Sequence, residues 1–114
     1  MAGYKTVNLE QGMPTADRAI RRLTYELAAA RQMRYTAVKL IHGYGSSGRG
    51  GVLRTEIRNY LLRIHSRGQI QAFIGGERFS IFDEDTRIAM ELCPELRRDR
   101  DLDRHNNGIT VVIL

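Results

Sequence analysis

With 114 residues, 42% of them hydrophobic, the chain suits one ordinary domain with its own core. It holds one cysteine and no apolar run near membrane-span length, which excludes an internal disulfide and a transmembrane helix. Nothing near Ala2-Gly3-Tyr4-Lys5 resembles a secretory leader, so a reducing, cytoplasmic setting is expected.

The formal charge is +5, but it is unevenly spread. Residues 1–75 carry twelve Lys and Arg against four Asp and Glu, whereas residues 76–114 carry six against nine. Sixteen of the eighteen cations are Arg, the residue that grips phosphate bidentately and stacks on bases. A nucleic acid, DNA or RNA, is therefore the expected partner of the basic part. Ordinary solvated helix faces are the competing explanation.

In chain order, Tyr4 to Leu9 alternates apolar and polar residues and predicts a strand. Pro14 and Thr15 suit a helix start, and Ala16, Ile20, Leu23, Leu27 and Ala30 recur at helical spacing to about Met33. Thr36 to Ile41 reads as a central strand. Leu53, Ile57, Tyr60, Leu61 and Ile64 form a second helical stripe from near Val52, ended by Gly68. Ile70 to Ile74 is a third strand, closed by Gly75-Gly76. Glu77 to Phe82 is expected to extend as a hairpin arm, and Asp83-Glu84-Asp85 to open a short helix through Leu92, stopped by Pro94. The alternating charges of Arg97 to Arg104 predict a solvated connector. Asn106-Asn107-Gly108 signals a turn before a final strand from Ile109 to Leu114. The pattern predicts a single α/β domain over residues 1–114, ordered β-α-β-α-β-(insert)-β, with an irregular insert at 77–106.

The segment from Val38 to Gly51 places a buried strand, His42 and a glycine-rich loop directly before a helix. Unpaired N–H groups and the helix dipole favour an anion there, and glycines allow close approach of a phosphate. Gly43 to Gly48 matches GxGxxG, but it follows the second strand rather than the first, and no acidic residue closes the next strand about twenty residues on. A Walker A loop is spoiled by Arg49 and Gly50 at the Lys and Ser/Thr positions.

Ile41-His42-Gly43-Tyr44-Gly45, the glycines that follow, Val52-Leu53-Arg54, Ile57-Arg58-Asn59-Tyr60-Leu61 and the ending Gly108 to Leu114 together resemble the Smr (small MutS-related) domain. That domain occurs at the C-terminus of MutS2 proteins and as a stand-alone protein. Val7-Asn8-Leu9-Glu10, with Gly12 and Thr15, is similar to its N-terminal LDxH signature. The resemblance covers residues 5–75 and 107–114. It implies a compact two-layer sandwich like the C-terminal domain of translation initiation factor three. It also implies nucleic-acid binding linked to DNA repair or recombination, with DNA-nicking or RNA-cleaving endonuclease activity in some members. Asn8 and Glu10 stand where the signature has Asp and His, and a register shifted by Gln11 does not restore the pair.

The expected nucleic-acid contacts are Gly43, Tyr44, Gly45, Ser46, Ser47, Gly48 and Arg49 of the loop, with Arg54 and Arg58 at i, i+4 on the helix that follows. His42 at a strand end is the candidate catalytic residue, or alternatively a residue that fixes the loop by a hydrogen bond. Glu10 is the candidate base, or an exposed strand-end acid. No cofactor is evident. A divalent metal has no supporting His/Cys/Asp ligand spacing, and acids in a helix first turn account for Asp83 to Asp85. Three functions compete: phosphate-backbone binding at residues 43–51, an endonuclease using His42, and a non-catalytic module whose 77–106 insert docks a protein.

Overall fold

A computed structural model describes residues 3–12, 14–43 and 50–114. The elements are β1 (Tyr4–Asn8), α1 (Ala16–Gln32), β2 (Ala37–Ile41), α2 (Gly50–Ser66), β3 (Ala72–Gly75), α3 (Glu84–Leu92) and β4 (Ile109–Ile113). Short 3-10 turns at Gly76–Arg78 and Pro94–Arg98 flank α3.

Local chemistry sets the helix ends. The Thr15 hydroxyl accepts the Arg18 N–H at 3.3 Å, satisfying one of the free donors of α1, and Asp17 lies in the first turn. At the end of α2, Gly68 adopts φ 73°. Its N–H bonds to His65 O at 2.9 Å and Gln69 N–H bonds to Ile64 O at 2.9 Å, the paired closure that a left-handed glycine permits.

The sheet runs β1-β2-β4-β3. β1 and β2 are parallel, and β4 is antiparallel to both of its neighbours. The C-terminal ends of β1, β2 and β3 therefore share one end of the sheet with the start of β4. β2 and β4 are central and nearly all buried, so both faces need apolar cover. α1 and α2 supply it on one side, where Leu23, Leu27, Ile57 and Leu61 pack on Val7, Val38, Leu40 and Val112. This is the expected two-layer α/β sandwich.

The insert covers the opposite face. Phe79, Ala89, Met90, Cys93 and Leu96 pack against Ile74, Ile109, Val111 and Ile113. Burial of side chains such as Phe79 and Leu96 contributes about 1.5–3 kcal/mol each. Cys93 is a buried thiol in this cluster. Two expectations for the insert change. Glu77 to Phe82 is not a hairpin arm: the chain turns at Gly76–Arg78 and sends Phe79 into the core. The Arg78 carbonyl is taken by the Thr86 hydroxyl at 3.0 Å rather than by a partner strand.

Arg97 to Arg104 is also not a solvated connector throughout. Lys39 of β2 is 5% exposed, on the face the insert covers, and a buried ammonium needs counter-charge. Its Nζ lies 2.9 Å from Asp99 Oδ1 and 2.5 Å from Asp101 Oδ2. The Tyr4 hydroxyl donates to Asp99 Oδ2 at 2.6 Å, and the Asp101 N–H donates to Asp99 Oδ1 at 2.8 Å. Burial and then the Asp99 contact push the Tyr4 hydroxyl well above the usual tyrosine range. Burial works against the Asp101 carboxylate, but hydrogen bonds from Asn106 and Lys39, with the Lys39 charge, hold its pKa below the ordinary value.

Replacing Lys39 with Met strands two buried carboxylates and should cost about 3–5 kcal/mol in urea unfolding. Because the folded pKa of Asp101 is depressed, its contribution is present above the unfolded carboxylate pKa of about 4 and is lost as pH falls through the folded value. Lys39→Met should flatten that acid dependence; an unchanged unfolding midpoint would show that the clamp contributes nothing.

Candidate nucleic-acid interface

β2 ends at Ile41, and the chain is caught there by β4. The Gly108 carbonyl accepts both the His42 N–H and the Gly43 N–H, each at 3.0 Å. Gly43 takes φ 78°, a conformation glycine adopts without strain.

His42 is fully buried. Its Nδ1 lies 2.8 Å from Gly43 O and its Nε2 lies 2.8 Å from Thr110 Oγ1. A carbonyl can only accept, so Nδ1 carries the proton and Nε2 accepts from the Thr110 hydroxyl. Thr110 in turn accepts from Arg58 Nε at 3.3 Å. Donors and acceptors thus run in one direction from Arg58 through Thr110 and His42 to the first carbonyl of the loop. Burial lowers the His42 pKa from 6.5 to about 4; the Gly43 hydrogen bond opposes this, and the charges of Arg58 and Arg54 add to it. The imidazole is neutral near pH 7.

Arg58 reaches this chain from the helix layer. Its Nη1 and Nη2 grip the two Glu77 oxygens at 2.7 and 2.8 Å, and Nη2 also approaches Ile109 O at 3.4 Å. The Arg58 hydrogen bond and charge bring Glu77 below its ordinary pKa despite the opposing effect of burial. The two glycines that close β3 make room. A Cβ on Gly75 would lie 2.8 Å from Arg58 Nη2, and one on Gly76 would lie 1.8 Å from Asn106 O.

The structure brings His42, Gly43, Arg54 and Arg58 to the shared end of β1, β2 and β3. Arg54, half-buried on the second turn of α2, is near enough for its charge to act on His42. Glu10 is exposed just beyond β1, with its N–H bonded to Asn8 Oδ1 at 3.0 Å. The Leu9 N–H to Ile41 O bond at 2.8 Å sets Glu10 beside the start of the loop. Tyr44, Gly45, Ser46, Ser47, Gly48 and Arg49 lie outside the described residues. Thr110 and Glu77 were missed in the sequence; a Thr inside Ile109 to Ile113 and a Gly-Gly-Glu after a strand were the available signals.

α1 and α2 each follow a parallel strand, so both present their N-termini at this end of the sheet. The first turn of α2 carries no acidic residue to offset the dipole. The acid-free pole of α2 and Arg54 favour anions at this end, whereas Asp17 offsets the pole of α1 and Glu77 pairs with Arg58.

The Smr domain family model matches residues 11–77, more than half of the chain. The chain belongs to the Smr family. No curated protein and no solved structure matches it. The matched part of this Smr domain runs from Gln11 through α1, β2, α2 and β3 to Glu77. It starts after Asn8 and Glu10, the positions that depart from the family signature. Most of the insert lies beyond it. Among the described residues, no group of three His, Cys, Asp or Glu side chains is placed to hold a metal ion. Among them, no helix is long and apolar enough to cross a membrane.

The enclosed imidazole has a thermodynamic signature. Its folded pKa is depressed, so its contribution is present above the unfolded value of 6.5 and is lost as pH falls toward about 4. A difference of that size corresponds to about 3 kcal/mol. Unfolding free energies measured at pH 7 and pH 4.5 should differ accordingly in wild type and much less in His42→Asn. Equal slopes in the two proteins would place His42 in water rather than in this network.

Proposed function

We propose that this Smr domain binds DNA or RNA by the phosphate backbone, at the end of the sheet where His42 and Gly43 meet the N-termini of α1 and α2. The observation that carries the reading is the convergence of the acid-free N-terminus of α2 and the guanidinium groups of Arg54 and Arg58 on the strand end at His42 and Gly43. The basic helix layer and the family membership support it. Residues 43–51 complete the phosphate site, and a role in DNA repair or recombination follows the family.

In this reading His42 acts as a positioning residue. A general base must reach the proton it removes, directly or through one water. An imidazole that is 0% exposed, with both nitrogens engaged, instead fixes the Gly43 carbonyl at the strand end. A nicking or RNA-cleaving enzyme built on His42 is the alternative, with Glu10 as the exposed carboxylate at the same strand end.

Binding to a short DNA duplex and to a single strand should weaken linearly in log salt. Arg54→Gln should lower affinity several-fold and reduce the salt slope by about 0.7–0.9, the loss of one phosphate contact. Salt-independent binding would contradict the proposal. Plasmid nicking abolished in His42→Asn with binding intact would establish the alternative.

A further inference from the structure

The Arg58–Glu77 pair stands at the proposed phosphate site, and its two halves are held very differently. Arg58 is anchored from behind: Nε donates to the buried Thr110 hydroxyl at 3.3 Å, and Nη2 approaches Ile109 O at 3.4 Å. Its side chain is 22% exposed, that of Glu77 43%. Glu77 projects from the short turn Gly76–Arg78, where the insert leaves β3. Gly75 leaves the space beside the pair unfilled, since a Cβ there would stand 2.7 Å from Glu77 Oε1 and 2.8 Å from Arg58 Nη2.

A carboxylate gripped by both terminal nitrogens of a guanidinium has the shape and charge of a phosphodiester gripped the same way. The fixed partner is the cation and the more exposed partner is the anion, so the anion is the replaceable one. Half-exposed ion pairs of this kind are weak, and exchanging one oxyanion for another at the same fork costs little.

We infer that the Arg58 fork is a subsite for one backbone phosphate and that Glu77 occupies it as an internal stand-in until a nucleic acid displaces it. The inference rests on the nucleic-acid reading of this sheet end. Glu77 thereby sets a threshold: a lone anion competes poorly with a tethered carboxylate, whereas a polyanion already held at the helix poles and Arg54 supplies its next phosphate at high local concentration. Arg58 is kept in its extended, fork-forward position meanwhile, and the carboxylate swings into solvent when the phosphate arrives.

The test is equilibrium binding of a fluorescein-labelled DNA duplex and single strand at fixed low salt. Wild type is compared with Glu77→Gln, Glu77→Asp, Arg58→Gln, the Arg58→Gln/Glu77→Gln double variant, and Glu56→Gln as a control for general charge. Glu56 is exposed on α2 outside this network. Glu77→Gln should bind about two- to five-fold tighter, the range of a partly exposed ion pair. Glu77→Asp, too short to span the fork, should also bind tighter. The gain should vanish on the Arg58→Gln background, because the coupling passes through the fork. Glu56→Gln should show a smaller gain than Glu77→Gln. Equal or weaker binding by Glu77→Gln, with wild type still binding, overturns the Glu77 inference alone. So does a gain that survives Arg58→Gln or is matched by Glu56→Gln. Failure of wild type and every variant to bind overturns the nucleic-acid reading as well.

Discussion

A single buried cation organises the half of this protein that faces away from α1 and α2. Lys39 sits in a central strand between Val38 and Leu40, on the face that α1 and α2 do not cover, and an ammonium there is tolerable only with counter-charge. Asp99 and Asp101 provide it, and in doing so they fix where the insert crosses the sheet. Asn106 follows from that placement. Its side-chain amide donates to Asp101 at 3.0 Å, and its side-chain oxygen accepts the Gly108 N–H at 3.0 Å. Gly108 then offers the carbonyl that holds His42 and Gly43. A buried cluster of one ammonium and two carboxylates on one face of the sheet thus determines the backbone at Gly108 that holds the end of β2.

The second organising element is the directional hydrogen-bond chain on the helix face. Arg58, Thr110, His42 and the Gly43 carbonyl are linked so that each group has its partner, and no described buried side-chain nitrogen or oxygen is left without one. Satisfied buried networks rigidify what they touch. Here they touch the first residue of the loop and the guanidinium that faces the same strand end. Charge for binding and geometry for positioning come from the same residues, which is why a neutral, enclosed histidine belongs at an anion site.

Much of the fold was legible because its elements obey local rules. The α1 stripe, its Thr15 cap, the Gly68 stop of α2, the Asp83 start of α3 and the near-unbroken apolar run of β4 each carry a residue-level cause. The two misreadings share one reason. Arg97 to Arg104 reads as solvated because charge alternates along it, and only the sheet topology shows that Asp99 and Asp101 meet Lys39 from about sixty residues away. Likewise, Phe79 gives no local sign that it turns into the core rather than along a hairpin. At the site, His42, Gly43, Arg54 and Arg58 were marked by a strand-loop-helix pattern. Thr110 and Glu77 join them through long-range pairing between β2, β4 and the end of β3, which no spacing in the sequence encodes.

The central claim is that nucleic acid engages this end of the sheet. The most direct measurement is the amide spectrum of isotopically labelled protein titrated with a short DNA duplex at low salt. The account predicts the largest shifts at Gly43, at Gly51, Val52 and Arg54, and at the start of α1, with α3 nearly still. Shifts concentrated on α3 and the insert, with the strand end unmoved, would contradict it.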